Sequence, residues 1–240
     1  IAPGGVRDRS FNPNVLHPPS KNVPMIEIAD TTRPVINSAV LNLGTGDFLL
    51  NVSETVDQTP PTNVIFKSFL IRNDSTDGGV QTVNISKSVG VYNAQNQYTN
   101  VYNDSVSLTF KLTELQRSIL LRWSGHTGGD GKANLLYVNE NAIFDIAGNF
   151  LQSVNAMPIL EVEDIIPPNI LNAALNLMNG TLIVSFDEHM QSSPPATWVN
   201  LSRIFISNNS NATALYSSKD ISLVGADVYD SGDTLSITIV

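Results

Sequence analysis

The sequence predicts an all-β protein built of tandem antiparallel β-sandwiches, the second of which is incomplete. Three observations support this prediction: apolar and polar residues alternate in short runs, turn-forming clusters separate the runs, and one stretch of the chain repeats another. The alternation is clear in 48–53 and 106–112, and the Gly-rich segment 125–131 is typical of a turn. Period-two alternation indicates strands with one buried face. Many short strands at such spacing favour a sandwich.

An internal repeat with an offset of 134 residues organises the chain. Asp30 aligns with Asp164, and the following apolar positions align without a gap; after one inserted residue, 69–75 aligns with 204–210. A fixed offset over so many positions indicates repeated structural units. We therefore expect an N-terminal extension at 1–29, a first repeat at 30–163 and a second repeat at 164–240.

The N-terminal extension is similar to the end of a repeat. Residues 24–30 (Pro-Met-Ile-Glu-Ile-Ala-Asp) align with 158–164 (Pro-Ile-Leu-Glu-Val-Glu-Asp) at the same offset. The second repeat has no counterpart for roughly the last fifty residues of the first, so we expect it to expose core and one sheet edge. The predicted assembly strand consists of Pro24, Met25, Ile26, Glu27, Ile28 and Ala29.

Three short motifs mark the repeats: Asp164-x-x-Pro-Pro168, Leu182-x-Val-x-Phe-Asp-Glu188 and Asp145-Ile-Ala-Gly-Asn149. These motifs resemble those of tandem bacterial Ig-like repeats, the SwmB-like and cadherin-like groups of long adhesins and surface filaments. The resemblance implies seven-stranded Ig-like sandwiches stacked end to end, outside the cell or on its surface. The first copy departs from the pattern, because Arg33 stands where the second copy has Pro167.

Composition argues against several classes of function. The net charge is −9 and the 13 Lys and Arg form no cluster, so we expect no nucleic-acid partner. The chain has no Cys for disulfides or thiolate metal sites, and no apolar run long enough for a membrane span. His17, His126 and His189 have no recognised metal-ligand spacing, and no Gly-x-Ser-x-Gly motif occurs. We therefore expect that the protein is not an enzyme.

Calcium is the candidate cofactor. Acidic residues cluster around the predicted junction between the repeats, and converging oxygen ligands would bind Ca²⁺ and stiffen the linkage. The alternative is a set of solvated carboxylates near a turn. The candidate ligands are Asp145, Glu163, Asp164, Asp187 and Glu188.

Covalent glycans are the second candidate addition, because the chain contains eight Asn-x-Ser/Thr sequons. Asn51 lies on the opposite strand face from Phe48, Leu50 and Val52, as a surface acceptor should. The candidate acceptors are Asn51, Asn73, Asn84, Asn103, Asn179, Asn200, Asn208 and Asn211.

The expected function is that of a structural subunit of an extracellular fibril, a homopolymer assembled head to tail. Residues 24–29 of one subunit would complete the second repeat of a neighbour by strand addition. If Met25, Ile26 and Ile28 all fill the gap, they contribute about 5–8 kcal/mol, at roughly 1.5–3 kcal/mol each.

Two other interpretations remain open. The chain is a window of a longer tandem-repeat polypeptide, in which covalently continuous strands complete each repeat. Alternatively, it is an adhesin or carbohydrate-binding Ig-like module, with Trp123 and Trp198 as candidate sugar-stacking residues.

Overall fold

The structure, a computed structural model, describes residues 9–11, 26–73, 81–85, 91–92, 98–99, 103–207, 220–230 and 232–240, with backbone only at 91–92 and 98–99. The chain divides into two compact units, 1–31 and 32–240. In the shorter unit, residues 26–31 lie outside helices and strands, and the side chains of Ile26 and Ile28 are 89% and 91% exposed.

The predicted all-β class is confirmed for the longer unit. Its strands are β1 (Ile36–Asn42), β2 (Asp47–Val56), β3 (Phe69–Asn73), β4 (Gln81–Asn84), β5 (Val91–Tyr92), β6 (Tyr98–Thr99), β7 (Ser105–Lys111), β8 (Leu135–Val138), β9 (Val154–Pro158), β10 (Leu160–Val162), β11 (Ile170–Asn176), β12 (Thr181–Met190), β13 (Phe205–Ile206), β14 (Ile221–Ser222), β15 (Val228–Tyr229) and β16 (Thr234–Ile239). The α-helices are α1 (Glu114–Trp123) and α2 (Pro195–Trp198), and 3₁₀ turns lie at Pro61–Asn63, Phe66–Ser68, Glu140–Ala142 and Leu201–Arg203.

Two four-stranded sheets and the two-stranded sheet β5-β6 form the described part of the unit that precedes residue 164. One has the order β10-β1-β2-β7, with β10 parallel to β1, and the other has the order β4-β3-β8-β9. Phe110 of the first sheet contacts Phe69 of the second, with ring centroids 5.2 Å apart. Its ring also lies 6.0 Å from that of Phe48 in its own sheet. Since all three rings are buried in one hydrophobic cluster, their burial joins the two sheets.

Helix α1 lies between β7 and β8, where the sequence predicts a short helical turn over 112–121. Thr113 begins it with a capping box: its hydroxyl accepts from the backbone N–H of Gln116, and the Gln116 side chain accepts from the backbone N–H of Thr113. Leu120 and Trp123 on one face are buried in the hydrophobic cluster. Arg117, one turn before Leu120 on the same helix, is also buried.

Two strands of the part from residue 164 onward correspond to strands of the first part. Its main sheet has the order β11-β12-β16-β15, and β11 and β12 lie 134 residues after β1 and β2. The β1–β2 register shifts after Ile36 and the β11–β12 register shifts after Ile170, at the same offset. Both hairpins turn at a glycine in the left-handed region, Gly46 with φ of 74° and Gly180 with φ of 73°.

The two parts differ in the number of hydrophobic side chains that they bury. Among the described residues, 24 hydrophobic side chains form the buried cluster of the first part, whereas the second part buries Leu182, Ile237 and Ile239. The predicted boundary between the repeats, at 163/164, falls between β10 and β11.

Candidate assembly edge and inter-repeat junction

The outer edge of β1 is covered by β10. Val40, Leu41 and Asn42 pair in parallel with 160–162, and the backbone N–H of Leu43 donates to the carbonyl oxygen of Val162 at 2.9 Å. The backbone groups on the outer side of 40–42 are therefore hydrogen-bonded within the chain.

The equivalent edge of β11 is open in the described structure. β11 pairs with β12 on one side, is the last strand of its sheet, and is exposed at every residue. Leu43 is fully buried, whereas Leu177, its equivalent at offset 134, is 87% exposed. An exposed strand edge beside apolar side chains is a template for pairing with another strand.

Glu161 of β10 accepts hydrogen bonds from the loop that follows α1. One carboxylate oxygen accepts from the backbone N–H of Gly125 at 2.9 Å. The other accepts from the backbone N–H and side-chain amide of Asn134, at 2.8 and 2.6 Å. Hydrogen bonds to a charged acceptor are short and strong, so Glu161 fixes the position of β10 along β1.

Arg117 joins the first part of the unit to the second. Its guanidinium, with only 6% of the side chain exposed, makes five hydrogen bonds. Two go to Glu114 of the same helix (2.6 and 2.9 Å) and one to the carbonyl oxygen of Leu43 (2.8 Å). The other two go to Asp164 and to Glu188 of β12, both at 2.7 Å. Five donors and five acceptors match, so the buried guanidinium is fully satisfied.

The surroundings of Arg117 and Glu114 favour the charged forms of these two residues. Burial alone would lower the pKa of Arg117, but its hydrogen bonds with Glu114 and Glu188 outweigh burial and raise that pKa. Burial likewise acts to raise the pKa of Glu114. The hydrogen bonds from Arg117 and from the backbone N–H of His189 reverse this and hold that pKa below its ordinary value of 4.5.

The structure distributes the five predicted calcium ligands among different partners. Asp164 and Glu188 converge, as expected for the junction, but on the guanidinium of Arg117. The carboxylate of Asp145 is bound by the backbone and side-chain amides of Asn149. Calcium binding stays a prediction, and at Asp164 and Glu188 an ion would compete with the guanidinium of Arg117.

The other two predicted ligands, Asp187 and Glu163, are not among the hydrogen-bond partners of Arg117. Asp187 is exposed and accepts from the backbone N–H of Asn169 at 2.7 Å and from its side-chain amide at 2.8 Å. These hydrogen bonds lower the pKa of Asp187. Glu163 is exposed, between β10 and β11.

The predicted glycan acceptors also differ in accessibility. Asn84, Asn103, Asn179 and Asn200 are exposed, and Asn51 is half-buried. Asn73 is buried, and its amide nitrogen donates to Asp130 at 2.8 Å, so a glycan on this nitrogen would displace a buried hydrogen bond. Asn208 and Asn211 lie outside the described residues, as do Pro24 and Met25 of the predicted assembly strand.

Sequence reasoning missed Arg117, and it identified Glu161 only as one of the acidic residues clustered at the junction. The capping box at Thr113 and Gln116 could have located α1, and with it Arg117 on the helix. Glu161 could have been found from the repeat, since Glu27 occupies its position in the N-terminal copy of the same strand.

No family model matches the chain, and no curated protein matches it significantly. In the part of the chain that the structure describes, no helix has the length and apolar character needed to cross a membrane.

Proposed function

We propose that the protein is a structural subunit of an extracellular or cell-surface fibril. In this proposal it consists of tandem Ig-like sandwiches and assembles head to tail, the N-terminal segment of one copy completing the second repeat of the next. One observation carries the proposal: β11 has an open edge where its equivalent β1 is covered by β10, and residues 26–28 (Ile-Glu-Ile) are similar in sequence to β10 (Leu-Glu-Val) at the repeat offset.

The exposed face of β11 supports the proposal energetically. Ile170 and Leu175 are exposed, while their equivalents Ile36 and Leu41 are buried in the first part. A partner that covers these side chains gains about 25 cal/mol for each Å² of apolar surface removed from water. Burial therefore favours association through this face.

The position of β10 changes the expected contribution of the donated side chains. Leu160 and Val162 stay 67% and 44% exposed even though β10 is paired. Ile26 and Ile28 occupy their positions, so we now expect both to lie largely outside the core. Main-chain hydrogen bonds and Met25, the equivalent of buried Ile159, then carry the contact. The estimate of 5–8 kcal/mol falls to about 1.5–3 kcal/mol for one buried side chain.

The exposed sequons support an extracellular location for such a fibre. Asn84, Asn103, Asn179 and Asn200 present their side chains at the surface, where a glycosylation machinery can reach them. A glycosidase-sensitive mass excess on these residues in the native protein is the expected result. A native protein whose mass equals that of its polypeptide would remove the glycoprotein part of the proposal.

Proline substitution in the full-length chain tests strand donation. Ile28→Pro removes a backbone N–H that a paired strand needs, whereas Ile28→Val recreates the residue found at Val162. We expect fibres from wild type and Ile28→Val in negative-stain microscopy and sedimentation, and none from Ile28→Pro. Fibres from Ile28→Pro would refute strand donation.

The intact mass of the native protein separates donated from covalent completion. A mass close to 26.0 kDa, before glycans, indicates discrete subunits. A far larger single polypeptide indicates that this chain is a window of a longer tandem-repeat protein, in which the same edge is covered by covalently continuous strands.

A carbohydrate-binding or adhesin function is the second candidate. Trp198 of α2 is 51% exposed and is therefore accessible for stacking on a sugar, whereas Trp123 is buried in the core. Trp198→Ala should abolish any signal on a glycan array if this candidate is right. An array without signal for the wild-type protein would rule it out.

A further inference from the structure

We propose that residues 26–28 of one copy pair in parallel with β11 of a second copy, with Ile26 opposite Ala174, Glu27 opposite Leu175 and Ile28 opposite Asn176. This inference rests on the proposed function and specifies the direction and register of its contact.

The paired strands of the first part provide the template. Leu160 lies opposite Val40, Glu161 opposite Leu41 and Val162 opposite Asn42. Subtracting the repeat offset of 134 from 160–162 gives 26–28, and adding it to 40–42 gives 174–176. The same offset relates the proposed pairs to pairs that the chain already forms.

The receiving strand has the shape that the template requires. The β1–β2 and β11–β12 hairpins share their pairing register and their register shift at the same offset. β11 therefore presents its outer backbone groups at the same positions as β1. Leu43, whose N–H bonds to Val162, corresponds to Leu177, which is placed to donate to the carbonyl oxygen of Ile28.

The template also assigns each side chain of the added strand to one face of the sheet. Directly opposed residues of a parallel pair point to the same sheet face, so Glu161 lies on the face of buried Leu41 and Leu160 on the outer face. A slip of one residue would turn Glu27 outward and both isoleucines inward. An antiparallel insertion centred on Glu27 would instead bring Ile28 opposite Ala174.

Disulfide trapping between separate chains tests the register, since the chain has no cysteine of its own. Chains carrying Ile26→Cys are mixed with chains carrying Ala174→Cys, allowed to assemble and then oxidised. Opposed strand positions have the Cα separation that a disulfide needs, and a pair two residues out of register exceeds about 7 Å. We expect a disulfide-linked dimer, at twice the 26.0 kDa chain mass, on a non-reducing gel.

Two further cysteine pairs serve as controls. Ile28→Cys mixed with Ala174→Cys keeps both thiols on the outer face but is out of register, and we expect at least about tenfold less dimer, because the thiols are too far apart. Val40→Cys with Leu160→Cys in one chain has the local geometry of the proposed contact and should form an intramolecular disulfide.

The outcomes separate this inference from the proposed function. Preferential dimer formation by the Ile28 pair indicates antiparallel donation, which overturns the register and leaves the fibril proposal standing. If neither mixed pair forms a dimer while Ile28→Pro still abolishes fibres, the register alone is wrong. If neither pair forms a dimer and Ile28→Pro still assembles, the inference and the strand-donation proposal both fail.

Discussion

Replacing Arg117 by methionine removes the guanidinium that three carboxylates share at the junction. Methionine preserves much of the side-chain volume, so the variant tests charge and hydrogen bonding more than packing. The side chains of Glu114, Asp164 and Glu188 keep between 11% and 26% of their surface exposed. In the variant they would be mutually repelling carboxylates without their shared cation.

The structure sets the expected magnitude of this loss. Removing one partner of a buried ion pair costs about 3–5 kcal/mol. Partial exposure lets water reach the freed carboxylate oxygens, so we expect the lower end, about 3 kcal/mol in the free energy of unfolding. Replacing all four residues with neutral ones of similar size, Glu114→Gln, Asp164→Asn and Glu188→Gln added to Arg117→Met, should recover most of the loss.

Urea unfolding followed by circular dichroism and tryptophan fluorescence measures the change. Arg122→Met is a matched control on the same helix, because Arg122 contacts Asp233 at 3.4 Å with an exposed side chain and should matter by less than about 0.5 kcal/mol. If Arg117→Met costs no more than Arg122→Met, the guanidinium does not hold the junction.

The pH dependence gives an independent check on the same cluster. The folded-state pKa of Glu114 lies below its ordinary value of 4.5, so its contribution is fully present above pH 4.5 and is lost as the pH falls through the folded-state pKa. In Arg117→Met the freed carboxylates gain from protonation instead. The stability difference between wild type and variant should therefore shrink below about pH 4.5, and a difference independent of pH would contradict this assignment.

Three further predictions concern single positions. Leu43→Ala should cost about 2–5 kcal/mol of unfolding free energy, whereas Leu177→Ala at the equivalent exposed position should be nearly neutral before assembly; equal costs in urea titrations would contradict the difference in burial. Glu161→Gln turns one acceptor of backbone N–H groups into a donor, and we expect a loss of about 1.5–3 kcal/mol by thermal unfolding. Gly129→Ala places a methyl group against the carbonyl oxygen of Ser124, so we expect about 1–3 kcal/mol of destabilisation in a urea titration, and a neutral result would show that the loop rearranges freely.

The strands of the longer unit could be predicted in some detail from sequence. Alternation in 48–53 lies within β2, and the repeat offset places β12 over 181–190. Local patterning succeeds there because each strand has one face toward a core. The helical segment was predicted two residues early, since α1 begins only after its capping residue Thr113.

The junction could not be predicted from sequence, because its contacts link residues far apart in the chain. The guanidinium of Arg117 meets Glu188, 71 residues later, through the packing of α1 against β12. Sequence analysis predicted converging carboxylates at this junction, but it had no means of finding that their cation is a side chain. The burial of Asn73, which donates to Asp130 of the 125–131 loop, could not be predicted for the same reason.

The parallel alignment of β10 with β1 has a consequence for how a fibre of this protein would grow. If every joint copies that alignment, all chains point the same way and the two tips are chemically unlike. One tip has a sheet edge to which no strand has been added, and the other has an N-terminal segment that is not paired. A short synthetic peptide with the sequence of residues 24–30 would then cap the first tip, and a free subunit whose own sheet edge it occupies could no longer join the second.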